Sequence, residues 1–253
     1  MNVLWLQQTE TQVPEGTEWL SVMEDARLNG LRFPKRRRDW RLGRWTAKRA
    51  VAFYLGRPAT ALRNIEVRPT PSGVPEVLVA GELAQFSISL SHRMGVAMVA
   101  LAPCGGAIGC DLEWIEPHSE AFVADYFTPQ EQLVIRRCSA CDQDALVALM
   151  WSAKESALKA LHHGLRLDTR GLVVSFGEDA ETECKGARSC EQQLSHRSDR
   201  DGCAPDRHGW RDFTVQLDGD LTLHGCWERS GNFVRTLIAH AALLPPALVD
   251  CDH

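Results

Sequence analysis

Between Phe86 and Ile115 the chain reads as three strands in close succession, and this run decides the fold class. Phe86, Ile88 and Leu90 alternate with polar residues, as they do on a strand with one buried face. Residues 96–101 form a continuous apolar run suited to a strand buried on both faces. Gly105-Gly106 supplies a turn, and residues 108–115 read as the next strand. This β-rich centre is flanked by helical patterns. Residues 18–29 read as a helix, and a basic segment over 32–45 runs on to Leu55, with Gly56 and Pro58 as its stop signal. Thr128-Pro129-Gln130-Glu131 has capping-box spacing with proline at the first helical position. A further helix is expected over residues 142–161, where Leu146, Leu149, Met150, Ala153, Ala157 and Leu161 share one side.

Strands are expected again at 172–176, 213–217, 221–227 and 233–239, while Pro69, Pro71, Gly73 and Pro75 break their stretch into turns. Residues 184–211 are rich in Ser, Asp, Arg and Gly without periodicity and read as a mobile insertion loop. The expected fold is α+β, in two similar halves, residues 1–105 and 106–253. Self-similarity between the halves is weak at the level of sequence.

Composition narrows the function classes. The chain has 253 residues, 44% hydrophobic and 24% charged, enough for one large domain or two small ones with a real core. A net charge of −5 argues against a dedicated nucleic-acid binder. No apolar run approaches the roughly 20 residues of a membrane span, and the start lacks the pattern of a signal peptide. A soluble cytoplasmic protein is expected. Its nine cysteines are scattered, so reduced thiols are expected, and Cys138-x-x-Cys141 has no partner pair at zinc spacing.

Four features bear on chemistry. Asp111 and Glu113 lie two apart on a strand and share a face, and paired hard oxygen donors suit Mg²⁺; D-x-E on an exposed strand is also common. Glu155 and Lys159 share the helix face opposite the apolar stripe, either as a surface pair worth a few tenths of a kcal/mol or, since Trp151 stands one turn earlier on the same side, as part of a covered surface or a site. Ser91-His92 closes a strand, where histidine can hold a phosphate or simply cap a turn. The arginines of residues 32–49 suit phosphate, RNA or plain solvent. Together, carboxylates for a hard cation and cations for phosphates point to a pyrophosphate ligand.

The order of these motifs resembles the Sfp-type 4′-phosphopantetheinyl transferases. Ser89-x-Ser91-His92, then Gly109-x-Asp111-x-Glu113, then Phe127 with Glu131, then Trp151-x-x-Lys154-Glu155-Ser156-x-x-Lys159 follow the family's G-x-D-x-E and W-x-x-K-E-[SA]-x-x-K patterns, with Gly43-Arg44 fitting upstream. The resemblance implies two α+β halves related by pseudo-two-fold symmetry with a cleft between them. It implies transfer of 4′-phosphopantetheine from coenzyme A to a serine of an acyl, peptidyl or aryl carrier protein, releasing 3′,5′-ADP. By the same resemblance Asp111, Glu113 and Glu155 bind Mg²⁺, Lys159 contacts the pyrophosphate, Ser91 and His92 contact coenzyme A, and Arg27 stands near its 3′-phosphate. Glu155 is the candidate base, and Glu131 either assists or only caps its helix.

Two residues depart from the family pattern. Val74 stands where many members have a lysine near a coenzyme A phosphate, which Arg68 or another arginine would have to replace, and Ser89 stands where asparagine is usual. The competing reading is a non-catalytic module of the same fold that binds coenzyme A or carrier protein. A monomer suffices if the cleft forms within one chain, and an acidic carrier helix would dock on basic residues such as Arg36, Arg37 or Arg136.

Overall fold

The structure, a computed structural model, describes residues 3–103, 106–162, 167–177, 209–217, 221–239 and 247–248. Two mixed layers are built from β1 (Leu4–Thr9), α1 (Val22–Asn29), α2 (Pro34–Tyr54), β2 (Ile65–Pro69), β3 (Pro75–Val79), β4 (Glu82–Leu83), β5 (Phe86–Arg93) and β6 (Val96–Pro103) on one side. The other side holds β7 (Ile108–Trp114), α3 (Glu120–Tyr126), α4 (Pro129–Arg137), α5 (Ala140–Ala160), β8 (Leu172–Phe176), β9 (Arg211–Leu217), β10 (Thr222–Ser230) and β11 (Phe233–Ala239). A short β12 (Ala247–Leu248) pairs parallel with β1. The fold is α+β, as expected. The polar loop expected over residues 184–211 lies outside the described residues up to residue 208.

The sheets run β12-β1-β6-β5 and β7-β11-β10-β9-β8, with a small third sheet β2-β3-β4. Among the described residues every strand pair except β1–β12 is antiparallel. The continuous apolar run of β6 follows from its place between two cores. Val99 and Leu101 face Ala47, Ala50 and Val51 of α2. Met98 and Ala100 face Cys110, Leu112 and Leu237 of the second sheet. That sheet in turn packs Phe213, Val215 and Ile238 against Leu149, Ala153 and Ala157 of α5. Arg235, 7% exposed, ties the two large sheets by donating to Gln7 of β1 at 2.6 Å.

Two expectations are corrected. The proline-rich stretch is not turns alone: Ile65, Val67 and Val77 are buried and build the β2–β3 hairpin, with Pro69 and Pro75 paired at its turn end, next to the turn in which the Thr70 amide donates to the Val74 carbonyl. The helix expected from residue 18 starts at Val22, because Ser21 caps it and Glu24 reciprocates.

One arrangement occurs twice. Ser21 and Thr128 each cap a helix in a capping box whose third residue is Glu24 or Glu131. Each glutamate pairs with a fully buried lysine, Lys48 or Lys154, from the following long helix. Each also accepts a valine amide 43 residues further on, Val67 or Val174. Trp19 packs edge-on against Trp45 at 5.2 Å, and Tyr126 packs edge-on against Trp151 at 5.0 Å. Tryptophan thus precedes lysine by three residues in both α2 and α5.

Candidate active site

Gly109 sets the site. A methyl group built on it would overlap the carbonyl of Ser156 and stand 2.8 Å from the amide of Ala160, so glycine alone lets α5 lie directly on β7. Residues 109, 111 and 113 share that face by the two-residue repeat of a strand. The rest of the α5 motif serves this seat. Ser152 and Ser156 bond the hydroxyl of Thr236, across the ladder from Asp111, at 2.8 and 2.6 Å. Lys154 donates to Glu131 at 2.7 Å and to the carbonyls of Tyr126 and Thr169. Trp151 is covered by Phe122 and Tyr126, as its position suggested. Glu155 and Lys159 are left facing β7.

Lys159 does not form the surface pair with Glu155 that helix spacing alone allows. Its ammonium donates to Asp111 Oδ1 at 2.6 Å and to the Cys110 carbonyl at 3.1 Å, because β7 comes within its reach. Ser91 donates to the same Asp111 oxygen at 2.8 Å, so β5 and β7 meet at this carboxylate. Asp111 is 3% exposed, and its Oδ2 is buried without a hydrogen-bond partner. Glu113 lies 3.5 Å from Arg93, which also pairs with Glu116.

The charges act on one another. Burial and the Asp111 charge push Glu113 up to about 7 against the pull of Arg93 and Lys159. Burial and Asp111 also raise Glu155, with Lys159 opposing. Burial works against the Lys159 ammonium, but Asp111, Cys110 and Glu155 together outweigh it and raise its pKa. His92 is held below the usual histidine range chiefly by desolvation, with Lys159 and Lys35 adding and Asp39 and Asp111 opposing. Burial pushes the neighbouring Cys110 thiol up to about 11, which leaves it without a nucleophilic role near neutral pH.

Asp111, Glu113, Glu155, Lys159, Ser91 and His92 therefore gather at the junction of β5, β7 and α5. Arg27 is exposed on α1, close enough to Arg44 to oppose its charge. In the sequence Arg44 stands out only as a motif landmark and as one of the arginines of residues 32–49 that suit phosphate. It is a partly buried guanidinium stacked on Trp40 at 5.1 Å, with its Nε unpartnered. Arg68 pairs with Glu76 across the hairpin at 2.6 Å. Ser89 takes a structural task, accepting the Cys110 amide at 2.9 Å. Arg37 and Arg41 spend their donors on the carbonyls of Leu28, Leu31 and of Pro14, Glu15 and Gly16, so much of the basic segment staples loops. Both oxygens of Glu131 serve the fold, which accounts for it without chemistry.

Among the described residues no three acidic, histidine or cysteine side chains already converge as a metal cluster. The donor set nonetheless fits a hard divalent cation. It has three carboxylates, two of them raised in pKa by burial and by Asp111, and a buried Asp111 oxygen with no other partner.

Residues 107–216 match the model of the 4′-phosphopantetheinyl transferase superfamily. The chain is 30% identical over 195 residues, 74% of its length and 79% of the relative's, to the 4′-phosphopantetheinyl transferase HetI of Nostoc sp. (strain PCC 7120). The matched region takes in Gly109, both carboxylates of β7 and the whole of α5, and with that relative it shows that this chain belongs to the 4′-phosphopantetheinyl transferase family.

Proposed function

We propose that the family's transfer of 4′-phosphopantetheine from coenzyme A to a carrier-protein serine takes place at the Asp111, Glu113, Glu155 and Lys159 cluster. The observation that carries this reading is the close seat of α5 on Gly109, which brings Lys159 onto Asp111 and places Glu155 close enough to feel the Asp111 charge. Asp111, Glu113 and Glu155 would hold Mg²⁺, which when bound supplies charge neutralisation for the pyrophosphate.

The chain's own residues do the rest. The serine oxygen bonds to the β-phosphorus of coenzyme A as the bond to 3′,5′-ADP breaks. Glu155, the carboxylate that α5 turns toward β7, takes the serine proton. Lys159 stays protonated and meets the charge that develops on the leaving group. Ser91 orients Asp111 through its hydroxyl, and neutral His92 offers a ring N–H to a phosphate oxygen. Arg27 and Arg44 stand together as the cations for the 3′-phosphate.

The repeated capping-box, glutamate and lysine arrangement supports two halves, residues 1–105 and 106–253, related by a pseudo-two-fold axis, and hence a working monomer. Exposed Arg36 and Arg136 are the proposed contacts for an acidic carrier helix. No helix among the described residues is long and apolar enough to cross a membrane, in keeping with the proposed cytoplasmic setting.

Intact mass of an apo carrier protein after incubation with coenzyme A and Mg²⁺ tests the reading. A gain of about 340 Da that requires the metal and is lost in Asp111→Ala and Glu155→Ala supports it. Coenzyme A binding without any gain across several carriers would replace it with the non-catalytic module.

A further inference from the structure

The two buried lysine–glutamate clasps hold two helices that present opposite chemistry. On α5, Lys154 is followed directly by Glu155 and one turn later by Lys159, the groups of the carboxylate cluster. On α2, Lys48 is followed directly by Arg49, which stacks on Trp45 at 5.7 Å, and one turn later by Phe53, half exposed. One turn before Lys48 stands Arg44. The duplicated framework has thus kept its clasp in both halves, while the residue after the lysine is acidic in one helix and basic in the other.

The N-terminal clasp reaches further than its own pair. Glu24 accepts Lys48, the amide of Ser21 and the amide of Val67, which ties α2 to the start of α1 and to β2. Ser21 in turn bonds Glu66 at 3.0 Å. Arg27 sits on α1 and Arg44 on α2, so the distance between these two cations depends on how α1 and α2 are locked together. The clasp fixes the start of α1, while Arg37 of α2 holds the carbonyl of Leu28 at its end and Leu28 packs in the core shared with Ala47, Ala50 and Val51.

We propose that the Lys48–Glu24 clasp is a positioning device for anion recognition, holding Arg44 and Arg27 at the separation that a coenzyme A phosphate requires, separately from the chemistry that Lys154–Glu131 supports. The inference rests on the proposed transferase reading. Lys48 and Glu24 act only through the arginines and do not touch the substrate.

The test uses full-length Glu24→Gln/Lys48→Met, which removes both charges at nearly constant volume, with the milder Ser21→Ala as a second variant that keeps the ion pair. Coenzyme A binding is measured calorimetrically, and KM for coenzyme A and kcat are measured by carrier mass gain. The expected result for the double variant is a loss of tenfold or more in coenzyme A affinity, a matching rise in its KM, and kcat at saturating coenzyme A within threefold of wild type. Ser21→Ala is expected to shift affinity two- to fivefold in the same direction. Unchanged coenzyme A affinity in Ser21→Ala and in the folded double variant overturns the proposal and leaves the clasp a stability element. A fall in kcat at constant KM overturns it too. Wild-type protein that binds no coenzyme A would overturn the transferase reading along with it, whereas wild-type binding with unaltered variants sinks the clasp alone.

Discussion

Lys159 Nζ lies 2.6 Å from Asp111 Oδ1, an oxygen that also accepts the Ser91 hydroxyl at 2.8 Å. One carboxylate oxygen therefore joins β5, β7 and α5, and Asp111 is oriented by two donors before any substrate arrives. Lys159→Met removes the cation from Asp111 and from the developing leaving-group charge. A charge-stabilising donor of this kind is worth about 10²–10³ in kcat, and that loss is expected at saturating coenzyme A and Mg²⁺. The loss should fall on kcat more than on coenzyme A affinity. Measuring both separates the two, and an affinity loss with kcat intact would refute the assigned role.

Gly109→Ala places a methyl group in the backbone of α5 at Ser156 and Ala160. The helix must move off β7, and overpacking of this sort costs about 1–3 kcal/mol. Because Glu155 and Lys159 ride on α5, activity should fall far more than the folded fraction does, by over a hundredfold at a temperature where the variant remains folded. Thermal unfolding by circular dichroism beside the carrier assay checks this. Activity lost only in proportion to unfolding would show that the seat does not set the site.

Most strands and both long helices were legible because each carries its own period: alternation in β5, a doubly buried apolar run in β6, an apolar stripe in α5. The residues that gather at the junction of β5, β7 and α5 were marked in the sequence by motif. What escaped was tertiary. Lys159 pairs with Asp111 and not with Glu155, because a strand 48 residues away in sequence comes closer than the helix's own next turn. The role of Gly109 lies in a backbone approach that no local pattern encodes. The repeat of Trp45-x-x-Lys48 in Trp151-x-x-Lys154 was present in the sequence, but the exposed residues around it differ, so only the matching capping boxes and ion pairs make it evident. The β2–β3 hairpin was hidden by prolines that sit at its end.

The Lys154–Glu131 pair is buried, with exposures of 0 and 3%, and supports α4, α5 and β8 together. Removing one partner leaves an uncompensated buried charge, at a cost of about 3–5 kcal/mol. Lys154→Met is therefore expected to lower stability by that amount, and Glu131→Gln/Lys154→Met by less than Lys154→Met alone. Urea denaturation of the wild type, Lys154→Met, Glu131→Gln and the double variant measures it. A double variant less stable than Lys154→Met would contradict the account.

As a proposed metal ligand, Glu113 would couple pH to metal binding. Burial and Asp111 raise its pKa to about 7, above the ordinary carboxylate value it has in the unfolded chain. Its protonated form is thus favoured in the fold, so its contribution to stability is present in full below the ordinary carboxylate pKa and is lost as pH rises through about 7. A divalent cation bound by the cluster competes with that proton and offsets the repulsion from Asp111 and Glu155. The rise in Tm on adding Mg²⁺ should accordingly be larger at pH 8 than at pH 6, and Glu113→Gln should flatten the difference. Scanning fluorimetry at the two pH values, with and without Mg²⁺ and with Ca²⁺ as a second hard cation, provides the comparison. Equal shifts at both pH values in the wild type would remove Glu113 from the metal-binding set.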